Sequence, residues 1–202
     1  MYNFNYLKKI FFFFFIKNKI FYLLFIFLFF LYLYYDYNKN MKFEKASNLY
    51  NNINYSLYHS DFHSVIKLSN FLIEKYSDTY YKDSCLLILS SIEFKKNNLN
   101  NSSFYLKKII EKTNTGLNNI ALFRLCKIYY SNNMIKESFD LLNIIKEKTY
   151  FIFYEEMKGD IFSYINENEK AKIAYLHSLN FIKNDYNIFS IKIKINNLGF
   201  IV

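Results

Sequence analysis

Apolar residues from about residue 43 to the end of the chain recur three and four positions apart, the spacing that predicts amphipathic helices. One such stretch contains Leu122, Leu125, Cys126 and Tyr129. An alternating apolar and polar pattern, which would favour a strand, is sustained only over residues 191–195, where helix and strand both remain open. The pattern therefore predicts an all-α domain over residues 36–202.

Asparagine-rich breaks separate the predicted helices at residues 96–98, 131–133 and 166–168. They recur at intervals of about 34 residues, and each lies between two helix-sized segments, so each predicts the turn of a helical hairpin. When the hairpins are aligned on these turns, small residues fall at matching places. They are Ser91, Cys126 and Gly159 in the first helices, and Ser102, Ser138 and Ala171 in the second helices.

Large side chains follow these small residues at fixed spacing. They are Phe94, Tyr129 and Phe162 in the first helices, and Leu106, Leu142 and Tyr175 in the second helices. Two antiparallel helices that cross closely leave no room for a long side chain at the contact, and a large group beside it fills the flanking space. The pattern predicts hairpins like those of the tetratricopeptide repeat, stacked into an α-solenoid, with a generic helical bundle as the alternative. Residues 43–76 would form a degenerate leading pair and residues 184–202 a trailing cap.

An apolar segment precedes this domain. Residues 20–35 (IFYLLFIFLFFLYLYY) contain no charge and no amide, and as a helix they would span about 24 Å of a bilayer core of roughly 30 Å. Lysines before the segment and tyrosines at its end are typical of the ends of a transmembrane helix. We predict an uncleaved signal anchor. A cleaved signal peptide is the alternative, although the exit Tyr-Tyr-Asp-Tyr contains no small-x-small cleavage site.

The distribution of charge predicts an orientation. The bases around the apolar segment are Lys8, Lys9, Lys17 and Lys19 ahead of it, and Lys39, Lys42 and Lys45 after it. The first group has no acid among them, whereas the second is accompanied by Asp36 and Glu44. The positive-inside rule then predicts a cytoplasmic, basic and aromatic tip at residues 1–19 and an exported domain at residues 36–202.

Composition adds little to this picture. The chain has a net charge of +9 and is 22% aromatic, with 24 Phe, 21 Tyr, no Trp and no Pro. Its most frequent residues are those whose codons need only A and T, so we attribute the bias to an AT-rich genome. Beyond the tip, the bases are interleaved with acids along the helices, which is typical of a solvated face. The charge therefore predicts no nucleic-acid partner.

The sequence offers no recognisable catalytic, cofactor or metal site. Three well separated glycines exclude a phosphate-binding glycine loop. His59 and His63 have a spacing that suits zinc on a helix, but no third ligand lies at a suggestive distance. An exported Cys85 and Cys126 could form a disulfide, with buried free thiols as the simpler interpretation. We predict a protein that is not an enzyme; a membrane-anchored enzyme with an unrecognised site is the alternative.

The order of these parts resembles the YfgM-like family, the ancillary subunits of the bacterial SecYEG translocon. Residues 193–198 (IKINNL) are similar to the family's closing KINNL, and residues 158–160 (KGD), 169–171 (EKA) and 78–80 (DTY) resemble other family segments. Two features depart from the family. Its alanine-rich helices contain Ser, Cys, Phe and Ile here, and its acidic tip is replaced by Lys and Phe.

The resemblance implies a single-pass inner-membrane protein with a cytoplasmic N-terminus and a periplasmic repeat domain. Family members associate with SecYEG and with the membrane-anchored chaperone PpiD, and they assist newly exported polypeptides. The family has no catalytic residues that could be carried over to this chain. A scaffold for another cell-envelope complex, built from the same repeats, is the alternative function.

A repeat array presents the inner faces of its first helices as a concave surface. The repeat register therefore predicts a partner-binding groove. Its lining residues are Ile120, Phe123, Lys127 and Tyr130 of one hairpin, and Phe153, Glu156, Asp160 and Ser163 of the next. Simple packing is the alternative role for Phe123 and Phe153.

Overall fold

The computed structural model describes residues 3–111, 117–145, 151–181 and 185–200, and within the first helix it describes the side chains of Lys9, Lys19 and residues 23 onward. These ranges contain helices and turns and no strand, so the predicted all-α fold is confirmed. The helices are α1 (Asn3–Tyr58), α2 (Phe62–Lys75), α3 (Tyr81–Lys95), α4 (Leu99–Ile110), α5 (Asn118–Ser131), α6 (Ile135–Ile144), α7 (Phe151–Tyr164), α8 (Asn168–Leu179) and α9 (Asp185–Asn197).

The helices pack as a series of hairpins. Helices α1 and α2, α3 and α4, α5 and α6, and α7 and α8 contact each other in pairs, and each pair packs against the next. The C-terminal part of α1 with α2 is the leading pair, and α9 packs on α8 as the trailing cap. The ambiguous residues 191–195 belong to α9, where Ile191 and Ile195 are buried and Ile193 faces solvent. A terminal helix of this kind covers the apolar face that the last hairpin would expose.

Each hairpin turns through one residue with a left-handed backbone. These residues are Ser60, Asn97, Asn133 and Asn166, with φ values of 59°, 59°, 61° and 61°. The residue that follows donates its N–H to a carbonyl five positions back, as Asn98 does to Glu93 and Met134 to Tyr129, both at 2.9 Å. This is a Schellman motif, in which Gly is the commonest left-handed residue and Asn a tolerated substitute. The asparagine-rich breaks therefore mark the turns as predicted.

The turns fix the register of the contacts inside each hairpin. Measured from the left-handed residue, the same two positions meet in every pair: Ile53 with Val65, Ser90 with Ser102, Cys126 with Ser138, and Gly159 with Ala171. All of these residues are buried. The Ser90 and Ser102 hydroxyl oxygens are 2.9 Å apart, and Cys126 Sγ is 3.0 Å from Ser138 Oγ. The second-helix serines also donate to the Ser90 and Cys126 carbonyls, so these buried polar groups are satisfied.

The predicted alignment is wrong by one residue in the α3–α4 hairpin. Ser90, not Ser91, occupies the close contact, and Glu93 rather than Phe94 follows it three residues later. Phe94 is instead 48% exposed and lines a surface cleft. The error arises because several consecutive residues could occupy the left-handed position, and only the backbone identifies Asn97 as the one that does.

The α7–α8 hairpin has the closest approach. A Cβ atom on Gly159 would lie 2.5 Å from Cδ1 of Tyr175, whose ring is only 3% exposed. Real Cβ atoms do not come so close to another carbon, so the ring position requires glycine here. Gly159 therefore faces both Ala171 and the aromatic residue that lies one helical turn after it.

Both cysteines are buried free thiols, which matches the simpler of the two sequence interpretations. Cys85 packs in the core cluster formed by α1, α2 and α3, whereas Cys126 packs with Leu142 and Met157. Burial raises the pKa of Cys85 to about 12 and that of Cys126 to about 11. Both thiols are therefore protonated near neutral pH and unreactive as nucleophiles.

Helix α1 connects the apolar N-terminal segment to the repeat domain without a break. It enters the core at Ala46, and just before that point Lys42 forms a 2.7 Å ion pair with Asp78. Every residue from 23 to 35 is 45–67% exposed. In the part of the chain that the structure describes, no helix is both long and apolar enough to cross a membrane, so the predicted transmembrane helix at residues 20–35 is not shown.

We expect Gly159→Ala to destabilise the protein, although alanine has a helix propensity about 1 kcal/mol more favourable than glycine. The added methyl group overlaps the buried Tyr175 ring, and overpacking of this kind costs about 1–3 kcal/mol. In a Tyr175→Ala background the overlap is absent, so the same change should be neutral or stabilising. Urea unfolding of the four proteins, followed by circular dichroism, measures both effects. A stabilising Gly159→Ala change in both backgrounds would contradict the close approach.

Candidate partner-binding groove

The predicted groove residues lie on α5 and α7, the first helices of two consecutive hairpins. The Phe123 and Phe153 rings pack against each other with centroids 5.8 Å apart, and Phe153 remains 46% exposed. The Lys127 ammonium lies 4.7 Å from the centre of the Phe123 ring. Ile120 packs against the core cluster formed by α3, α4 and α5, and Ser163 is half-buried near the end of α7. The two phenylalanines therefore combine helix packing with exposed surface.

The other predicted residues, Tyr130, Glu156 and Asp160, are held by contacts within the chain. The Tyr130 hydroxyl donates to the Asp160 carbonyl at 3.4 Å. Lys194 of α9 donates to Glu156 Oε1 at 2.7 Å and to the two carboxylate oxygens of Asp160 at 2.7 and 2.9 Å. The Tyr175 hydroxyl donates to Asp160 Oδ1 at 2.8 Å. At this end of the array, Lys194 of α9 therefore binds the carboxylates that were predicted to line the groove.

The charges of this cluster support its hydrogen bonds. Burial alone would lower the pKa of Lys194, but the hydrogen bonds and negative charges of Asp160 and Glu156 outweigh burial and hold that pKa above its ordinary value. Burial raises the pKa of Tyr175, and the neighbouring Asp160 charge raises it further. At neutral pH the lysine is therefore charged and the phenol protonated, so both act as donors to Asp160.

Three of the segments on which the family resemblance was based meet here. Asp160 of residues 158–160 pairs with Lys194 of residues 193–198, and Ala171 of residues 169–171 is buried against the Gly159 turn of α7. Sequence reasoning placed Asp160 in the groove but missed Lys194 as its partner. The available signal was the closing IKINNL segment itself, whose lysine directly precedes the buried Ile195 of α9. The cluster docks α9 onto α7.

An open cleft lies on the same inner face, nearer the N-terminus. When the register of Ile120, Phe123 and Lys127 is carried back to α3, it leads to Ser84, Leu87 and Ser91. These three residues line a cleft of about 470 Å³ between α1, α3 and α5. Its other lining residues are Tyr50, Leu57, Ser60, Phe62, Ile88, Ile92, Lys95, Leu117 and Arg124. The sequence analysis stopped at α5 and missed this cleft, which the same register would have found one repeat earlier.

Arg124 stands at the edge of this cleft and joins two hairpins. Its Nη1 donates to Ser91 Oγ at 2.7 Å and to the Leu87 carbonyl at 3.3 Å. A second cleft of about 290 Å³ lies on the other side of the guanidinium, between α3, α4 and α5. The two clefts share Ser91, Lys95 and Arg124, so they form one trough across the hairpins.

The lining of the trough mixes three kinds of side chain. Its lining combines apolar side chains, serine hydroxyls and lysine or arginine side chains. Within the described ranges, no group of three His, Cys, Asp or Glu residues could hold a metal ion. The zinc-compatible spacing of His59 and His63 does not place them on one helix, because α1 ends at Tyr58 and α2 begins at Phe62.

We expect Lys194→Ala to lower the free energy of unfolding by about 2 kcal/mol, because it leaves Glu156 and Asp160 without their shared cation. Lys192→Ala, on an exposed position of the same helix, is the matched control and should have little effect. Urea unfolding measures the difference. Equal stabilities of the two variants would contradict the docking role of Lys194.

The same contact predicts a pH dependence. Because the pKa of Lys194 is raised by folding, its contribution is complete below the ordinary lysine pKa and is lost as the pH rises above about 10. The raised pKa of Tyr175 acts in the same direction. The stability difference between the wild type and Lys194→Ala should therefore be constant near neutral pH and shrink only in strong alkali.

Two comparisons with known proteins agree with this architecture. A family model described as a tetratricopeptide repeat-like domain matches residues 17–200. The ancillary SecYEG translocon subunit of Buchnera aphidicola subsp. Schizaphis graminum (strain Sg) is 26% identical to this chain over 185 residues, which cover 89% of this chain and 91% of that protein. The match to the family model extends from within α1 to the end of the described chain. The protein belongs to the YfgM-like family of tetratricopeptide repeat-like proteins.

Proposed function

We propose that this protein is a membrane-anchored, ancillary subunit of the SecYEG translocon that binds polypeptide segments in the trough between α1, α3 and α5. The observation that carries the proposal is the open cleft on the concave face of a repeat array that is similar, over most of its length, to a protein of that name. The role is binding without catalysis. Exported polypeptides and a PpiD-like chaperone are the partners that we propose for it.

The proposed anchor is the segment at residues 20–35. Its described part, residues 23–35, is apolar on every side of the helix and exposed throughout. A helix that is apolar all round requires an apolar environment, and an exposed apolar surface of this extent marks a membrane or protein contact. With the lysines ahead of it, this segment supports a cytoplasmic tip at residues 1–19 and a periplasmic domain from residue 36 onward.

Because α1 is continuous, it connects the proposed anchor rigidly to the cleft. The helix that carries the exposed apolar residues also contributes Tyr50 and Leu57 to the cleft. From Tyr35 to Tyr50 a helix rises by about 22 Å. The cleft is therefore held at a fixed height above the proposed membrane surface, where it would face polypeptides that leave the translocon.

The lining of the cleft suits segments of varied sequence. Leu57, Leu87 and Ile92 provide apolar contacts, whereas Ser60, Ser84 and Ser91 provide hydroxyl groups that can donate or accept. Such a surface binds exposed backbone and apolar side chains together, which unfolded exported chains present. We propose that the protein assists their folding or transfer in this way. The exposed Phe153, packed on Phe123, extends the surface toward α7.

Site-specific crosslinking tests the position of the surface. A photoreactive residue at Ser84, half-buried in the cleft, should form adducts with SecY, a PpiD-like chaperone or exported polypeptides in cells. The same probe at Phe104, which is exposed on α4, is the control and should form few. Adducts with unrelated envelope proteins alone would favour a scaffold for another complex. No adducts from Ser84 in a folded protein would contradict the proposed surface.

The predicted groove residues provide a second arm of this test. Phe123→Ala and Tyr130→Ala should reduce crosslinking from Ser84 severalfold if the concave face acts as one surface, because aromatic side chains carry much of the energy of such contacts. Phe71→Ala, at an exposed position on α2, is the control. Unchanged crosslinking in folded Phe123→Ala and Tyr130→Ala proteins would remove α5 and α7 from the binding surface.

Membrane topology is tested in spheroplasts. External protease should digest the repeat domain and leave the tip protected, and alkaline carbonate should not extract the protein. The double substitution Phe27→Lys and Leu28→Lys should abolish membrane retention, since each lysine costs about 2.5–3.5 kcal/mol at the centre of an inserted helix. A repeat domain that stays protected from external protease would overturn both the orientation and the proposed function.

A further inference from the structure

Arg124 is the residue of the trough whose chemistry is least explained by packing. It is the one arginine in a chain whose other basic residues, apart from three histidines, are all lysines. Its guanidinium uses Nη1 to contact Ser91 and the Leu87 carbonyl, and these contacts hold it at the junction of the two clefts. The side chain is therefore positioned from α3, and among the described residues its other N–H groups have no hydrogen-bond partner.

No carboxylate among the described residues balances this charge. Neither cleft has an aspartate or glutamate in its lining, and Arg124 forms no ion pair within the described ranges. Burial lowers the pKa of Arg124, and no neighbouring acid opposes this effect. A partly buried guanidinium is normally paired with an anion, because desolvation of the unpaired charge is costly.

Two lysines extend the positive charge along the trough. Lys95 lines both clefts, and Lys127 lines the second cleft beside the Phe123 ring. The acids on the neighbouring inner face, Glu156 and Asp160, are occupied by Lys194. The trough is therefore a positively charged surface with an apolar floor, in a domain where bases and acids otherwise alternate.

We propose that this trough recognises a carboxylate on an extended polypeptide segment, with Arg124 binding the carboxylate and Lys95 and Lys127 flanking it. The inference rests on the proposed function and specifies which segments are preferred. A guanidinium presents N–H groups in a planar fork that matches the two oxygens of a carboxylate, so the hydrogen bonds between them are directional. The apolar residues Leu57, Leu87 and Ile92 in the same cleft would contact the side chains that flank the acid.

A polypeptide fits the trough better than a lipid headgroup. The lining residues extend from α1 through α3 to α5, with serine hydroxyls on α3 and at the turn after α1, which provides contacts along a chain rather than around a single phosphate. The concave face of a repeat array is also the surface on which such proteins bind extended segments. A lipid headgroup remains a distinguishable outcome of the experiment.

The experiment uses the full chain in detergent micelles and a pair of fluorescent peptides. One peptide carries a single glutamate flanked by leucine and serine, and its twin carries glutamine in that place. We expect fluorescence anisotropy to show that the wild type prefers the glutamate peptide by roughly tenfold, the size expected for a charge-assisted contact. Arg124→Gln should abolish this preference, so that the variant binds the two peptides equally. The preference should also weaken as the salt concentration rises.

Three further proteins make the test specific. Arg124→Lys keeps the charge without the fork and should retain part of the preference, and Lys95→Gln should reduce it by a smaller factor than Arg124→Gln. Lys136→Gln, at an exposed position on α6, removes one positive charge elsewhere and should change nothing. Thermal unfolding of each variant verifies that α3 and α5 remain packed after the Arg124 contact to Leu87 is removed.

The outcomes separate this inference from the proposed function. Equal binding of the two peptides by the wild type, or an undiminished preference in folded Arg124→Gln, would overturn the role of Arg124 while leaving polypeptide binding in the cleft intact. A short-chain phosphatidylglycerol that binds in an Arg124-dependent way, when the glutamate peptide does not, would assign the trough to lipid headgroups and overturn the proposal. Crosslinking from Ser84 in cells tests the proposed function independently of either result.

Discussion

The close crossing of two helices in the three later hairpins is the constraint on which the rest of the structure depends. At the crossing of the three later hairpins, only small side chains fit: Ser90 with Ser102, Cys126 with Ser138, and Gly159 with Ala171. Serine and cysteine are tolerated because their polar groups bond to each other and to nearby carbonyls inside the contact. The crossing fixes which side of α3, α5 and α7 faces the second helix, and it thereby determines which side remains on the inner face of the array.

The two ends of that inner face differ in whether their charged residues are paired within the chain. At the C-terminal end, Lys194 of α9 binds both Glu156 and Asp160, so both carboxylates have a cationic partner within the chain. At the N-terminal end, α1, α3 and α5 leave a cleft whose charges have no such partners among the described residues. At the C-terminal end of the inner face, the chain itself supplies the cation that pairs with the acids. In the N-terminal cleft, the charged lining residues are all positive. In the proposed function, electrostatic complementarity would direct an acidic partner toward the N-terminal half.

Much of this architecture could be predicted from the sequence, because helices and tight turns depend on local pattern. The apolar periodicity gave the helices, and runs such as Asn132-Asn133 marked the turns, since asparagine tolerates the left-handed backbone. The exact register could not be predicted in α3, where adjacent serines make Ser90 and Ser91 equivalent by pattern. The pairing of Lys194 with Asp160 depends on the docking of α9, a contact between segments 34 residues apart that no local rule specifies.

The biased composition draws attention to the few residues that depart from it, because such positions have a physical requirement for one residue type. A pressure toward Lys, Asn, Phe and Tyr can change most exposed positions without cost, because a solvated face accepts any polar residue and an apolar face accepts any residue of suitable size. Gly159 cannot be replaced in this way, because the Tyr175 ring excludes even a Cβ atom there. Arg124 is a second such position. A lysine ammonium is a compact point charge, whereas the planar guanidinium can contact Ser91 and the Leu87 carbonyl and still direct other N–H groups into the trough. The geometry of donors at this junction, rather than charge alone, accounts for an arginine in a chain that otherwise uses lysine.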